Sequence, residues 1–260
     1  LFQTIGYSFT DYNGINPKKE FTGLTNYFDV FQDKWFYNSM AFTGKSVLLM
    51  ILLANVLGFL LALALNTKIR SRNILRAIVF CPFVFNNVTV GFIWQFLLGR
   101  FMTDLYPLTG WKVFNIGWLS DNSLVLYSVV FVKLWQSIGY FMVIYLAGLQ
   151  LLPQDPLEAA VIDGCTGIKM IRYITIPLMK PTAFVCIFLA ITESLNMFPL
   201  IMSLTNGGPG HASENISLYI YNEAFKSHRM GYASALAVIL TIIMTIIAGL
   251  QMKLTREDAG

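Results

Sequence analysis

The chain has 260 residues, of which 56% are hydrophobic, 15% aromatic and 12% charged. A soluble domain carries about 25% charged residues, because water has to wet its surface. The charged fraction of this chain is about half of that value. This low charge excludes a typical soluble enzyme, a disordered segment and a disulfide scaffold, and it indicates an integral membrane protein. The net charge of +4 is small and spread along the chain, so it gives no support for nucleic-acid binding.

Apolar runs predict where the chain crosses a bilayer. A spanning helix needs about 20 mostly apolar residues, and five runs qualify: 46–65, 77–98, 125–150, 182–204 and 233–251. Residues 1–9 are typical of the end of a sixth span, so we expect the natural chain to start earlier. The runs do not alternate as barrel strands do. We therefore expect an all-α polytopic transmembrane helical bundle with about six spans, the first one truncated.

The turn at 66–76 predicts the orientation of the chain. It contains no acidic residue and four basic ones: Lys68, Arg70, Arg72 and Arg76. Short basic loops stay on the cytoplasmic side, so we expect 152–181 and the C-terminus to be cytoplasmic. The loops on the opposite side are 10–45, 99–123 and 205–231. In the last of these, Gly207-Gly208-Pro209-Gly210 predicts a tight turn.

Small residues and prolines mark special positions within the spans. Small residues four apart share one helix face and predict close packing: Ala54, Gly58 and Ala62; Cys186, Ala190 and Ser194; Ala237, Thr241, Thr245 and Gly249. Pro82 and Pro199 also fall inside spans, where each removes a backbone hydrogen bond. Two interpretations stay open for them, namely a kink that lines a cavity and a proline that the helix tolerates.

The segment 153–181 is more structured than a plain connector needs to be. We expect a helix over 156–163, with Asp155 as N-cap, Pro156 at the first helical position and Glu158 three residues after the cap. Gly164 predicts its end. A second amphipathic stretch, 166–176, is expected to end at Pro177. Two short helices between spans indicate a docking surface for a cytoplasmic partner.

This segment resembles the EAA loop of ABC importer permeases. The matching residues are Glu158-Ala159-Ala160, Asp163-Gly164, Ile174-Thr175-Ile176-Pro177 and Pro181. Similar motifs occur along nearly the whole chain: FTGLTNYFDVF (21–31), KLWQSIGYFMVIYLAGLQLLP (133–153), SLTNGGPG (203–210), LYIYNEAF (218–225) and GYASALAVIL (231–240). Together they resemble the maltose-type carbohydrate branch of the binding-protein-dependent transport system inner membrane component family. Cys165, Ile168 and Ile171 depart from the family pattern but keep an apolar face.

The resemblance implies how the chain is organised and with what it assembles. It implies one transmembrane domain over 1–260 in the bacterial cytoplasmic membrane, paired with a second homologous permease. Further partners would be two cytoplasmic ABC ATPase subunits and an extracytoplasmic solute-binding protein. The helix 156–163 would be a coupling helix that transmits the ATPase motion through Glu158, Ala159, Ala160, Asp163 and Gly164. ATP and Mg²⁺ would be bound by the ATPase, so this chain would need no cofactor and would not be an enzyme.

The sequence contains no complete motif for nucleotide or metal binding. Thr43-Gly44-Lys45-Ser46 is similar to the end of a phosphate-binding loop, but Ser39 stands where that loop needs glycine and an apolar span follows. His211 and His228 lack metal-ligand spacing. The three cysteines indicate no disulfide framework. The sequence therefore predicts neither a catalytic group nor a metal site.

Polar side chains within the spans indicate a pathway, because such groups are costly in lipid and face the protein interior or a cavity. A sugar site needs amide or acid partners for hydroxyl groups together with aromatic rings for the C–H faces. On these criteria the candidate substrate-pathway residues are Asn86, Asn87, Glu193, Asn196, Phe198 and Tyr140. The alternative, that such groups only bond one another between helices, stays open.

Lys133 and Glu193 are the only ionisable side chains well inside the runs. They can pair with each other, or Lys133 can lie near the interface and snorkel. The resemblance and this inventory imply an ATP-driven importer of a sugar or oligosaccharide. The alternatives are a polyol-phosphate permease, which would need more basic residues in its cavity, an ion-coupled transporter that uses this pair as a relay, and a non-transporting scaffold.

Overall fold

The computed structural model describes residues 2–16, 18–67 and 70–257, with side chains to residue 253 except residue 252. Lys68, part of the basic turn, lies outside the described residues. Within these ranges the only β-structure is an isolated bridge between Thr10 and Phe21. The α-helices are α1 (Phe2–Ser8), α2 (Thr25–Gln32), α3 (Lys34–Leu65), α4 (Arg72–Phe80), α5 (Asn87–Gln95), α6 (Met102–Thr109), α7 (Val125–Gln150), α8 (Gln154–Ile162), α9 (Ile168–Met170), α10 (Ile176–Leu178), α11 (Lys180–Leu195), α12 (Phe198–Leu204), α13 (Ile216–Tyr221) and α14 (Met230–Glu257).

Five helical segments of the described chain are candidates to cross a membrane. Three are single helices that are long and apolar enough: Lys34–Leu65, Val125–Gln150 and Met230–Gln251. Two are bent pairs: Arg72–Val84 with Asn87–Thr109, at 93°, and Ile168–Leu178 with Lys180–Leu195, at 71°. Helix α1 packs along α14. The all-α polytopic bundle is confirmed, and the runs predicted as spans at 46–65, 125–150 and 233–251 each lie within one of these single helices.

The span predicted at 77–98 is wrong as one continuous helix. Helix α4 tightens into a 3₁₀ turn at Cys81–Val84, and Phe85 and Asn86 are extended before α5 begins at Asn87. Pro82 has no N–H with which to continue the ladder. The Asn86 side chain accepts a hydrogen bond from the N–H of Val88 at 2.8 Å and so starts a new helix.

The run 182–204 is also interrupted, so its prediction as one span is wrong. Helix α11 ends at Leu195, and Asn196 closes it by donating its N–H to the carbonyl of Thr192 at 3.1 Å. Pro199 lies in the first turn of α12. N–H groups in that turn have no partner within the helix, so the missing N–H of proline costs no helical hydrogen bond. Both prolines therefore mark breaks, and the interpretation as tolerated prolines falls away.

The core forms where α3, α7 and α11 pack together. The small residues of α3 and α11 are buried there, which confirms their predicted packing role. On α14 the outcome differs, because Thr241, Thr245 and Gly249 are exposed. The half-helices α5 and α12 lie side by side, and a Cβ at Gly91 would come within 1.9 Å of Ser203 Oγ. Only glycine permits that approach.

The predicted turn at Gly207-Gly208-Pro209-Gly210 is confirmed. The N–H of Gly208 donates to the carbonyl of Thr205 at 3.0 Å, and the N–H of Ala212 donates to that of Pro209 at 2.8 Å. Gly207 has a φ of 85°, which suits glycine. The chain therefore reverses twice between α12 and α13.

Candidate functional site

An ion pair lies where the two broken helices meet. Lys133 Nζ, on α7, is 2.6 Å from a carboxylate oxygen of Glu193, on α11. The same ammonium group donates to Asn87 Oδ1 at 3.5 Å. The Lys133 side chain is 3% exposed and that of Glu193 is 26% exposed. The pairing hypothesis is confirmed, and Lys133 does not snorkel.

The pair belongs to a cleft of about 490 Å³, which we call the ion-pair cleft. Its lining comes from the α4–α5 break, α7, α11 and the start of α12: Phe83, Phe85, Asn86, Asn87, Val88, Lys133, Gln136, Glu193 and Pro199. Gln136 donates its side-chain N–H to the carbonyl of Phe85 at 2.9 Å, which holds the extended break against α7. Gln136 Oε1 is buried and has no hydrogen-bond partner among the described residues.

A second cleft, of about 510 Å³, shares Asn87 and Pro199 with the first. We call it the aromatic cleft, and it is lined by Asn87, Leu195, Asn196, Phe198, Pro199, Ser217, Ile220, Tyr221, Ala224 and Phe225. The ring of Tyr221 lies 5.2 Å from that of Phe198 and 5.1 Å from that of Phe225. Amide groups and rings thus line two adjoining clefts, which suit a ligand that has both hydroxyl groups and apolar faces.

The structure brings five of the six predicted pathway residues to these clefts. Asn86, Asn87 and Glu193 line the first, and Asn196 and Phe198 line the second. The sixth, Tyr140, lines neither cleft. Its ring stacks on Phe83 with centroids 4.5 Å apart, so it supports the lining from behind.

Sequence reasoning missed the contribution of α13 and the turn that follows it. Ser217, Tyr221 and Phe225 face the aromatic cleft, although hydropathy placed them in a loop. The signal present in the sequence was the pair of aromatic residues four apart, which lie on one face of a helix.

Asn86 lines the cleft, yet its side-chain oxygen is already used as the cap of α5. We predict that Asn86→Ala lowers the stability of the protein by about 1 kcal/mol, because a lost N-cap costs that much. Asn86→Ser should retain most of the stability. The measurement is the unfolding of the purified complex in denaturing detergent. Weakened sugar binding in Asn86→Ala with unchanged unfolding would show that Asn86 contacts substrate instead.

The loop helix α8 begins earlier than the sequence predicts. It spans Gln154–Ile162, with Pro153 at the N-cap and no side-chain cap, so the assignment of Asp155 as N-cap is wrong. Pro153 has φ −62° and ψ 139°, the extended geometry that precedes a helix, and it sets the start there. Asp155 lies in the first turn, where its charge suits the helix dipole.

The end of α8 is confirmed at Gly164, which has a φ of 71°. The N–H of Cys165 donates to the carbonyl of Ala160 at 2.8 Å, and that of Gly164 donates to the carbonyl of Val161 at 3.0 Å. These two bonds form a Schellman motif, in which a left-handed residue closes the helix. Gly164 therefore sets the direction in which the chain leaves α8.

The five residues predicted for coupling differ in where they face. Glu158, Ala159, Asp163 and Gly164 are exposed, whereas Ala160 is buried. Helix α8 packs on the π turn Ile171–Thr175. Large apolar side chains are nevertheless exposed beside it: Val161 (54%), Ile162 (86%) and Ile168 (83%). An exposed apolar patch on a loop indicates a contact surface.

The second loop helix extends further than predicted. It runs over Ile168–Leu178 and passes Pro177 before bending by 71° into α11, so its predicted end at Pro177 is wrong. The π turn Ile171–Thr175 ends with the N–H of Ile176 donating to the carbonyl of Ile171. This hydrogen bond spans five residues instead of four. It therefore shifts the backbone hydrogen-bond pattern of the helix just before Pro177, which has no N–H.

Apolar helices broken around a polar cleft, with a structured loop at one end, define an integral membrane transport protein. A family profile described as binding-protein-dependent transport system inner membrane component matches residues 54–256. The chain belongs to this family. It is a permease subunit of an ABC importer, located in a membrane and working with a solute-binding protein, and it is not an enzyme.

Similar proteins support the same assignment. The chain is 37% identical to the probable starch degradation products transport system permease protein AmyD of Thermoanaerobacterium thermosulfurigenes, over 97% of this chain and 86% of that one. It is 33% identical to the multiple sugar-binding transport system permease protein MsmF of Streptococcus mutans, over 99% and 89%. A crystal structure of a bacterial ABC transporter involved in import of the acidic polysaccharide alginate has the same fold, with a TM-score of 0.82, 21% identity and coverage of 98% and 89%.

Proposed function

We propose that this chain forms part of the pathway along which an ATP-driven importer moves a neutral sugar or oligosaccharide. The observation that carries the proposal is the pair of adjoining clefts, which present amide groups, one carboxylate and aromatic rings at two helix breaks. Relatives named for starch degradation products and for multiple sugars favour the same substrate class. Phe198, Tyr221 and Phe225 would offer ring faces, while Asn87 and Asn196 would bond hydroxyl groups.

A neutral substrate is favoured over a polyol phosphate by the charges in the clefts. Among the described residues, Lys133 is the only basic one in the two linings, and Glu193 already neutralises it. A phosphate group would need several uncompensated donors. Membership of the importer family leaves no support for an ion-coupled transporter or a passive scaffold.

The loop 153–181 is proposed as the coupling loop of a single transmembrane domain over 1–260. Exposed Glu158, Ala159, Asp163 and Gly164, together with the apolar patch beside them, would seat in one of two ABC ATPase subunits that bind ATP and Mg²⁺. Buried Ala160 would instead hold α8 on its own loop. A second homologous permease would complete the membrane part of the complex.

The chain would lie in a bacterial cytoplasmic membrane with the loop 153–181 and the C-terminus in the cytoplasm. Arg70 and Arg72 are exposed at the start of α4, which supports this orientation because basic short loops stay inside. The solute-binding protein would then meet the opposite end, where the turn at 207–210 lies between α12 and α13.

Motion would pass from the coupling loop to the clefts along one stretch of chain. Helix α8 packs on the turn Ile171–Thr175. This turn belongs to the helical segment Ile168–Leu178, which continues across the 71° bend into α11. Helix α11 carries Glu193 and ends beside Asn196. A displacement of α8 would therefore change the distance between Glu193 and the residues of α7, and so open or close the cleft.

The proposal is tested by purifying the chain from its native membrane and asking what accompanies it. We expect an ABC ATPase and a second permease, with ATP hydrolysis stimulated by the loaded binding protein and a neutral saccharide from a panel of mono- to hexasaccharides. Stimulation by charged solutes alone, or isolation without an ATPase, would contradict the proposal.

We predict that Asn87→Ala and Asn196→Ala each lower uptake by about fivefold, because one lost hydrogen bond is worth about 1 kcal/mol. Assembly should change little, since Asn196 is exposed and Asn87 makes only a long contact with Lys133. Gln95→Ala is the matched control, because this exposed amide on α5 lines neither cleft. Equal losses in all three variants would argue against a pathway role.

A further inference from the structure

We propose that Glu193 determines charge specificity, because its carboxylate cancels the Lys133 ammonium group and makes the ion-pair cleft reject anionic carbohydrates. The inference deepens the proposed carbohydrate pathway and rests on it. It assigns to one side chain the choice between neutral and acidic substrates.

The two charged groups lie at different depths in the cleft, and the inference depends on this difference. Lys133 is 3% exposed, whereas Glu193 is 26% exposed and lines the same cleft. The carboxylate is therefore the more accessible of the two, and the ammonium group lies deeper, with its Nζ 2.6 Å from the carboxylate. A solute that enters meets the negative member of the pair first.

The other polar groups of the lining do not change this balance. Asn87 and Gln136 are neutral, and Asn87 Oδ1 and the carbonyl of Phe85 already accept hydrogen bonds from Lys133 and Gln136. No other ionisable side chain of the described part of the chain lines the ion-pair cleft. With the pair intact, the cleft offers an anion no unpaired cation and one repelling carboxylate.

Removal of the negative charge alone should reverse the preference. Charges interact strongly at short range when little water lies between them, and a buried ammonium group without a counterion attracts any anion that can reach it. Glu193→Gln keeps the length of the side chain and an oxygen for the ammonium group but leaves the Lys133 charge uncompensated. The uronate carboxylate of an acidic sugar could then occupy the place of the lost charge.

The test compares glucose with glucuronate, which differ by one carboxylate, as ligands of the complete purified transporter at constant ionic strength. Thermal unfolding midpoints are measured against probe concentration, because a ligand that binds the folded state raises them. In the wild-type complex glucuronate should stabilise no more than glucose. In Glu193→Gln we expect glucuronate to bind at least roughly tenfold more tightly than glucose. The control is Lys133→Met with Glu193→Leu in one chain, where no preference is expected.

A second variant covers the case in which Glu193→Gln does not assemble. Lys133→Met leaves an accessible carboxylate without a partner, so it should prefer cationic glucosamine over glucose. Equal binding of the charged and neutral probes in whichever variant assembles would overturn the inference. Failure of both single variants while the double variant assembles would also overturn it, by assigning the pair to stability alone. Failure of the carbohydrate proposal would show separately, as wild-type ATPase activity that no neutral saccharide stimulates.

Discussion

Replacing Gly164 with valine is expected to lower substrate uptake by at least about tenfold while ATP hydrolysis continues and the complex still inserts. The residue has a φ of 71° and closes the Schellman motif of α8. A β-branched residue in that conformation costs more than 1 kcal/mol, so the loop would leave α8 in a different direction. The coupling surface would then lose its alignment with α11.

The effect should come from the backbone rather than from a clash. A Cβ at Gly164 would meet no atom of the described residues within 4 Å, so these residues leave space for a larger side chain. Gly164→Asn is therefore a matched control, because asparagine is similar in size to valine and tolerates the left-handed region. We expect it to retain most of the uptake.

Uptake and ATP hydrolysis should be measured together in proteoliposomes, so that their ratio reports coupling. A high ratio of ATP hydrolysed to substrate moved in Gly164→Val, with a near-normal ratio in Gly164→Asn, is the expected pattern. Unchanged uptake in Gly164→Val would count heavily against a coupling role for this turn. Equal losses in both variants would point to side-chain volume instead of the turn.

Hydropathy predicts the spans of this chain well and their interruptions poorly. Length and apolarity decide whether a helix can cross lipid, and both can be read from the sequence. The predicted spans at 46–65 and 125–150 accordingly lie within single helices. The break at Phe85 and Asn86 depends on a side-chain cap and a proline, which an average over 20 residues does not register. The same sequence pattern would suit a continuous helix with a tolerated proline.

Individual roles were harder to predict than the site itself, because one residue type serves several purposes. Asn86 and Asn87 are adjacent amides, yet the first caps α5 and the second contacts Lys133. Ala159 and Ala160 are identical in type, but only the second is buried. These differences arise from tertiary packing, which fixes the faces only after the helices have assembled.

Breaking the Lys133–Glu193 pair should destabilise the protein more than removing both charges. Glu193→Leu leaves a 3% exposed ammonium group without its carboxylate, and loss of one partner of a buried pair costs about 3–5 kcal/mol. Lys133→Met should cost less, because the remaining carboxylate is 26% exposed and water in the cleft screens it. The double variant should be more stable than Glu193→Leu, since two apolar side chains leave no unpaired charge.

The measurement is a double-mutant cycle on unfolding in denaturing detergent, which isolates the interaction between the two side chains. The chain provides its own control in the pair Arg100 and Asp104. Arg100 Nε lies 3.8 Å from Asp104 Oδ2, and the two side chains are 80% and 70% exposed. An exposed pair of this kind contributes at most about 0.5 kcal/mol, so its cycle should be close to additive. An additive result for Lys133 and Glu193 as well would mean that the pair does not hold α7 to α11.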